Sequence, residues 1–142
     1  MSARLVYLDS SAFIKLVVPE AETEALVAHL QRWSVAVSAT LLRTESLRAA
    51  VRHSPEAVRD TRLALREVAF VDLTRDVMDQ AGILTPAHLR SLDAVHLAAA
   101  LSLGDDLDEV VTYDARMAAA ASACGLVVSS PCRPPPRPDP TS

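Results

Sequence analysis

Lysine is almost missing from this chain. Lys15 is the only one among 14 basic residues, the rest being arginine, and 18 acids bring the net charge to −4. Such a balance excludes a protein that coats nucleic acid through bulk positive charge. It does not exclude an enzyme acting on nucleic acid at one place, because acids gathered in a site can coexist with a basic rim. Arginine grips phosphate bidentately, although codon composition can produce the same bias. Cysteine is scarce as well. Cys124 and Cys132 have neither the spacing of a zinc site nor the density of a disulfide framework, which points to a reducing cytoplasm. No apolar run approaches the roughly 20 residues of a membrane span. The opening MSARLVYLD is too short and too soon charged to read as a signal peptide.

Apolar side chains are plentiful: half of the 142 residues are hydrophobic and the mean hydropathy is +0.19. A chain of this length is most simply one domain, burying roughly two-thirds of its unfolded surface. The pattern predicts strands at Leu5–Leu8, Val35–Val37, Phe70–Leu73, Val110–Tyr113 and Leu126–Val128. Between them it predicts helices over Ser10–Val18, Glu20–Trp33, Thr40–His53, a segment opened by Ser54 and Pro55 and running to about Ala69, Thr74–Leu84, Leu92–Leu103 and Ala115–Ala123. Strands alternating with helices imply parallel pairing and right-handed crossovers. The expected fold is a three-layer α/β/α sandwich around a central, mostly parallel sheet of about five short strands. Residues 1–130 are expected to form that domain. Residues 131–142, PCRPPPRPDPTS, read as a proline-rich flexible tail.

Four acids stand at telling places. In an open parallel sheet, ligands bind beyond the carboxyl ends of the strands. Asp9 follows the first strand and Asp114 follows VVTY. Asp93 opens the helix LDAVHLAAA, where unpaired backbone N–H groups favour negative charge. Glu45 lies about a turn into the helix after the second strand. Each has an ordinary role if taken singly: Asp9 and Asp114 can cap helices, Asp93 can be an early-turn acid with Ser91 as cap, and Glu45 can pair with Arg48. Together, four anions at one sheet edge repel. Either their pKa values rise, or hard divalent cations hold them together, and all-oxygen ligation suits Mg²⁺ or Mn²⁺. Ser11 and Thr112, each two residues from one of these acids, are candidates to orient a carboxylate. Arg43 and Arg116 flank motif acids as candidate phosphate contacts. His96, among Val95, Leu97 and alanines, reads as a packed, hydrogen-bonded histidine rather than a ligand.

LDSSAFIKL around Asp9, LLRTESLRA around Glu45, LRSLDAVHLAAAL around Asp93 and VVTYDARM around Asp114 resemble the four acidic motifs of PIN-domain ribonucleases, and most of all the VapC-type toxins of bacterial toxin–antitoxin pairs. The resemblance runs from about Val6 to Val128 and says nothing about the tail. It implies a Mg²⁺- or Mn²⁺-dependent endoribonuclease cutting single-stranded or looped RNA such as tRNA or rRNA. Asp9, Asp93 and Asp114 would bind metal, and Glu45 would ligate, orient water or accept a proton. It also implies a homodimer in the cytoplasm, held inactive by a cognate antitoxin. Rival readings are weaker. An aspartyl-nucleophile phosphohydrolase needs a second acid where Ser11 stands, and a receiver domain needs an acid pair and a late lysine that are absent. A catalytically inactive PIN-like binding module is disfavoured by the complete acid set.

Overall fold

The computed structural model describes residues 4–132. Most of the proline-rich tail, residues 133–142, therefore lies outside the described residues. Five strands form one sheet: β1 (Leu5–Leu8), β2 (Val35–Ala39), β3 (Val68–Val71), β4 (Leu107–Val111) and β5 (Val128–Ser129). Their order is β3-β2-β1-β4-β5, and every pairing is parallel. The helices are α1 (Ser10–Val17), α2 (Thr23–Leu30), α3 (Leu41–His53), α4 (Pro55–Leu65), α5 (Arg75–Gly82), α6 (Ser91–Leu101) and α7 (Ala115–Ala123). The expected three-layer sandwich is what forms, and its sheet is parallel throughout.

Alternation along β1 distributes the two cores. Val6 and Leu8 pack with Phe13, Leu26, Leu42 and Leu65 from α1 to α4 on one face. Tyr7 packs with Val37, Val110, Ala99 and Ala100 on the other, against α6. Helix α6 is enclosed on nearly every side, with Ala94 through Ala100 all buried. Its run of small residues is therefore what allows close approach to both the sheet and the neighbouring helices, as a helix apolar all round requires.

Four strands differ from expectation, β2 only by running two residues further, to Ala39. Strand β3 begins at Val68 rather than Phe70, because α4 stops at Leu65 and Val68 already pairs with Ala36. Strand β4 spans Leu107–Val111 rather than Val110–Tyr113, so Asp108 and Glu109, ahead of the expected strand, lie inside the sheet. Those acids are tolerated because each has a partner: Asp108 Oδ2 accepts from the Leu5 N–H at 3.1 Å, and Glu109 Oε2 meets His29 Nε2 at 3.0 Å. Strand β5 is displaced to Val128–Ser129, where Val128 pairs with Val110. Helix α2 is also shorter than its amphipathic pattern, because Lys15 holds Glu20 and Glu22 at 2.6 and 3.2 Å in the turn before it.

Candidate active site

The chain leaves β1 toward β2 on one side and places β4 on the other. The order thus reverses beside β1, and in a doubly wound sheet the crevice at such a switch point is where ligands bind. Asp9 stands there, immediately after β1, with its N–H directed to Val111 O at the end of β4 (3.4 Å). A cavity of about 320 Å³ opens at this edge, lined by Asp9, Ser10, Ser11, Glu45, Arg90, Leu92, Asp93 and Asp114. All four acids singled out from the sequence therefore face one space.

Asp9 is 3% exposed. Its Oδ1 accepts from the Ala12 N–H at 3.0 Å, capping α1, and from Ser11 Oγ at 2.6 Å. Its Oδ2 accepts from Thr112 Oγ1 at 2.5 Å. The hydroxyls are themselves oriented by the chain leaving β4, because Tyr113 N–H donates to Ser11 Oγ at 2.9 Å and Asp114 N–H to Thr112 Oγ1 at 3.1 Å. Two backbone groups of one loop thus aim two hydroxyl protons at the two oxygens of one carboxylate. Burial pushes the Asp9 pKa up, and the bonds from Ser11, Thr112 and Ala12 oppose the rise without cancelling it. A carboxylate made costly by burial is relieved by a cation.

Asp114 caps α7 with Oδ1, which accepts from the N–H groups of Arg116 (2.9 Å) and Met117 (3.2 Å). Its Oδ2 faces Arg90 Nη2 at 2.6 Å, and Arg90 Nε donates to Asp93 Oδ2 at 3.2 Å. Arg90, not Ser91, is the cap residue of α6, and its side chain makes no capping bond. Glu45 Oε1 meets His96 Nε2 at 2.6 Å, and Tyr7 Oη meets His96 Nδ1 at 2.7 Å. An ionised carboxylate only accepts, which assigns the proton to Nε2 and makes Nδ1 the acceptor of the Tyr7 hydroxyl. Tyr7 and His96 are almost wholly buried, so a polar chain runs from the core to the rim and holds Glu45 in place.

The other candidates fall elsewhere. The Arg43 guanidinium lies over the Phe70 ring, 5.3 Å from its centroid. Arg116 lines a separate cavity with Pro86, His88 and Leu89. The arginine in the acid cavity is Arg90, not one of the two that stand two residues from a motif acid. The signal was present: Arg90 precedes Asp93 by three, one helical turn. His96 is packed and hydrogen-bonded as expected, but its contact with Glu45, 51 positions away, left no local trace.

The carboxylates surround the cavity without closing on one point; among the described residues, no three acidic, histidine or cysteine side chains form a ready-made metal cage. The donor set nevertheless suits a hard cation, being all oxygen. A guanidinium already seated on Asp93 and Asp114 shows that the rim accepts positive charge.

The class these features define is a doubly wound α/β protein with an acidic, oxygen-donor cavity at its switch point. The PIN domain model matches residues 6–123. Ribonuclease VapC46 of Mycobacterium tuberculosis (strain ATCC 25618 / H37Rv) is 43% identical over 126 residues, covering 89% of this chain and 97% of that protein. The crystal structure of Mycobacterium tuberculosis VapC20, described as a sarcin-ricin loop cleaving toxin, superposes with a TM-score of 0.67 at 18% identity, covering 86% of this chain and 96% of that one. A toxin–antitoxin complex from Klebsiella pneumoniae gives a TM-score of 0.66 at 18% identity, covering 89% and 97%. The chain belongs to the PIN-domain family, as an endoribonuclease of the VapC toxin type.

Proposed function

We propose that this protein is a Mg²⁺- or Mn²⁺-dependent endoribonuclease that hydrolyses single-stranded or looped RNA, such as tRNA or rRNA, as the toxin of a toxin–antitoxin pair. The observation that carries the reading is the meeting of Asp9, Glu45, Asp93 and Asp114 around one cavity at the switch point. VapC nucleases of the PIN family are as a group dependent on divalent metal. A bound divalent ion would supply a nucleophile from water near neutral pH and would stabilise charge on the phosphoryl oxygens. Asp9, Asp93 and Asp114 would hold it. Ser11 and Thr112 fix the rotamer of Asp9, and Glu45, held by His96, would orient the attacking water or take its proton. Attack by water needs no ribose 2′-hydroxyl, so the products carry 5′-phosphates.

Residues 1–130 would be the nuclease domain. The cytoplasm is its expected location; no described helix is long and apolar enough to cross a membrane. A homodimer and a cognate antitoxin are the expected assemblies, the second supported by the Klebsiella pneumoniae complex that shares this fold.

The test is cleavage of end-labelled total RNA by purified protein in Mg²⁺, in EDTA, and by Asp93→Asn. Loss of about a hundredfold or more is expected in EDTA and in the variant. Fragments ending in 2′,3′-cyclic phosphate, or cleavage equal in Asp93→Asn, would overturn the reading.

A further inference from the structure

Among the described residues, Arg90 is the one basic side chain lining the acid cavity. It stands at the turn into α6 and bridges two elements, with Nε on Asp93 Oδ2 at 3.2 Å and Nη2 on Asp114 Oδ2 at 2.6 Å. The oxygen it takes from Asp114 is the one that capping leaves free, since Oδ1 holds the first turn of α7. Its own side chain is 63% exposed, against 18% and 21% for its two partners. An exposed pair of this kind is held weakly, and the guanidinium can leave toward solvent without opening the core. A divalent ion held by Asp93 and Asp114 would lie close to the Arg90 guanidinium, which contacts both carboxylates. Two cations at that range repel, so guanidinium and metal compete for the same carboxylates. Once displaced, the guanidinium remains tethered at the cavity mouth, where its planar fork suits a phosphate.

We propose that Arg90 is a built-in counter-cation which bridges Asp93 and Asp114 before metal arrives, yields them to the metal, and then binds the phosphate of the RNA to be cut. The proposal rests on the metal-dependent nuclease reading. It makes two effects of one substitution point in opposite directions, which a merely structural residue does not do.

The experiment is Mn²⁺ titration of the full-length protein without RNA, read by calorimetry or by the loss of free-ion electron paramagnetic resonance signal. It is paired with steady-state cleavage of an RNA oligonucleotide under saturating Mn²⁺. Removing one positive charge beside the site raises Mn²⁺ affinity in Arg90→Ala by roughly tenfold, for a separation of several ångströms in a largely aqueous dielectric. In the same variant KM for RNA rises by about tenfold or more, from the lost charge-assisted contact. Arg90→Lys keeps the charge and so leaves Mn²⁺ affinity near wild type, while still raising KM because the fork is lost. Arg43→Ala, which removes an arginine outside the cavity, leaves Mn²⁺ affinity unchanged. Unchanged or weaker Mn²⁺ binding in Arg90→Ala, or an unchanged KM, overturns the Arg90 assignment while leaving the nuclease reading intact. Wild-type protein that binds no Mn²⁺ overturns the metal-dependent reading itself, and this proposal with it.

Discussion

Replacing Asp9 with asparagine separates the two roles this residue can play, because a cap and a metal anchor predict opposite signs for stability. Asparagine keeps the shape. Its Oδ1 can still accept from Ala12 N–H and Ser11 Oγ, so the cap on α1 survives. Its amide nitrogen replaces Oδ2, and Thr112 Oγ1 turns from donor to acceptor. The loss is the charge-assisted part of three hydrogen bonds, up to about 1 kcal/mol each. The gain is relief from burying a carboxylate at a position 3% exposed, where an ion costs on the order of several kcal/mol. The raised Asp9 pKa shows which side wins: the folded protein holds the neutral form more tightly than the unfolded chain does. The sign follows. That contribution to stability is complete below the ordinary carboxylate pKa and is lost as pH rises through the raised value. Once pH has risen past that value, metal-free wild type has lost it, whereas Asp9→Asn has nothing to lose. In EDTA the variant is therefore more stable, by on the order of 1 kcal/mol, or about 3–4 °C in Tm for a chain of this size. The advantage shrinks on acidification. In metal the order inverts, because a ligand at a hundred times its Kd stabilises wild type by about 2.7 kcal/mol and asparagine forfeits most of that. Calorimetric scans of both proteins, in EDTA and in Mg²⁺, at acidic and neutral pH, decide the matter. Asp9→Asn that is less stable in EDTA at neutral pH would mean that the fold alone satisfies the charge, and the argument for a cation at Asp9 would fail.

Tyr7→Phe strips the hydroxyl that meets His96 Nδ1 in a fully buried setting, which should lower stability by about 1–3 kcal/mol in urea unfolding; since His96 then loses its anchor beneath Glu45, kcat should fall several-fold with KM little changed. Glu109→Ala leaves His29 without the carboxylate that meets it at 3.0 Å and should cost about 1–3 kcal/mol. Its cleavage rate per folded molecule should stay at wild type, because His29 and Glu109 lie outside the acid cavity. Ser129 Oγ and Glu109 Oε2 both meet His29 at Nε2, so the cluster cannot relay a proton through two ring nitrogens as a nucleophile triad would.

The sequence made legible whatever is encoded locally. LVYL followed by DSS marked both the end of β1 and the cap of α1. Ser54 and Pro55 opened α4 where expected, with Ala57 N–H on Ser54 Oγ. The four acids were legible for a different reason: sheet topology alone carries strand ends to one rim, so the carboxyl ends of β1 and β4 could be joined without knowing any side-chain contact. What escaped was pairing across long stretches of chain. Asp108 and Glu109 fell outside the expected strand because their partners, Leu5 and His29, stand 103 and 80 residues away. Strand β3 slipped by two residues because the helical pattern of α4 reads on past Arg66 and Glu67 into Val68 and Ala69, and only the register against β2 fixes where pairing begins.

At Asp9 and Asp114 the structural and the chemical readings are not rivals. In both, one carboxylate oxygen accepts from the backbone of a helix's first turn while the other is directed elsewhere, to Thr112 in one and Arg90 in the other. A helix start supplies a fixed carboxylate orientation and a positive dipole end, which lower the cost of holding an anion ready at the rim. The first turn thus serves as scaffold for the charge it caps. Alanine at either position removes cap and charge together and so cannot tell a folding defect from a lost ligand. Asparagine retains the accepting oxygen and removes only the charge, so at Asp9 it separates the lost ligand from the lost cap.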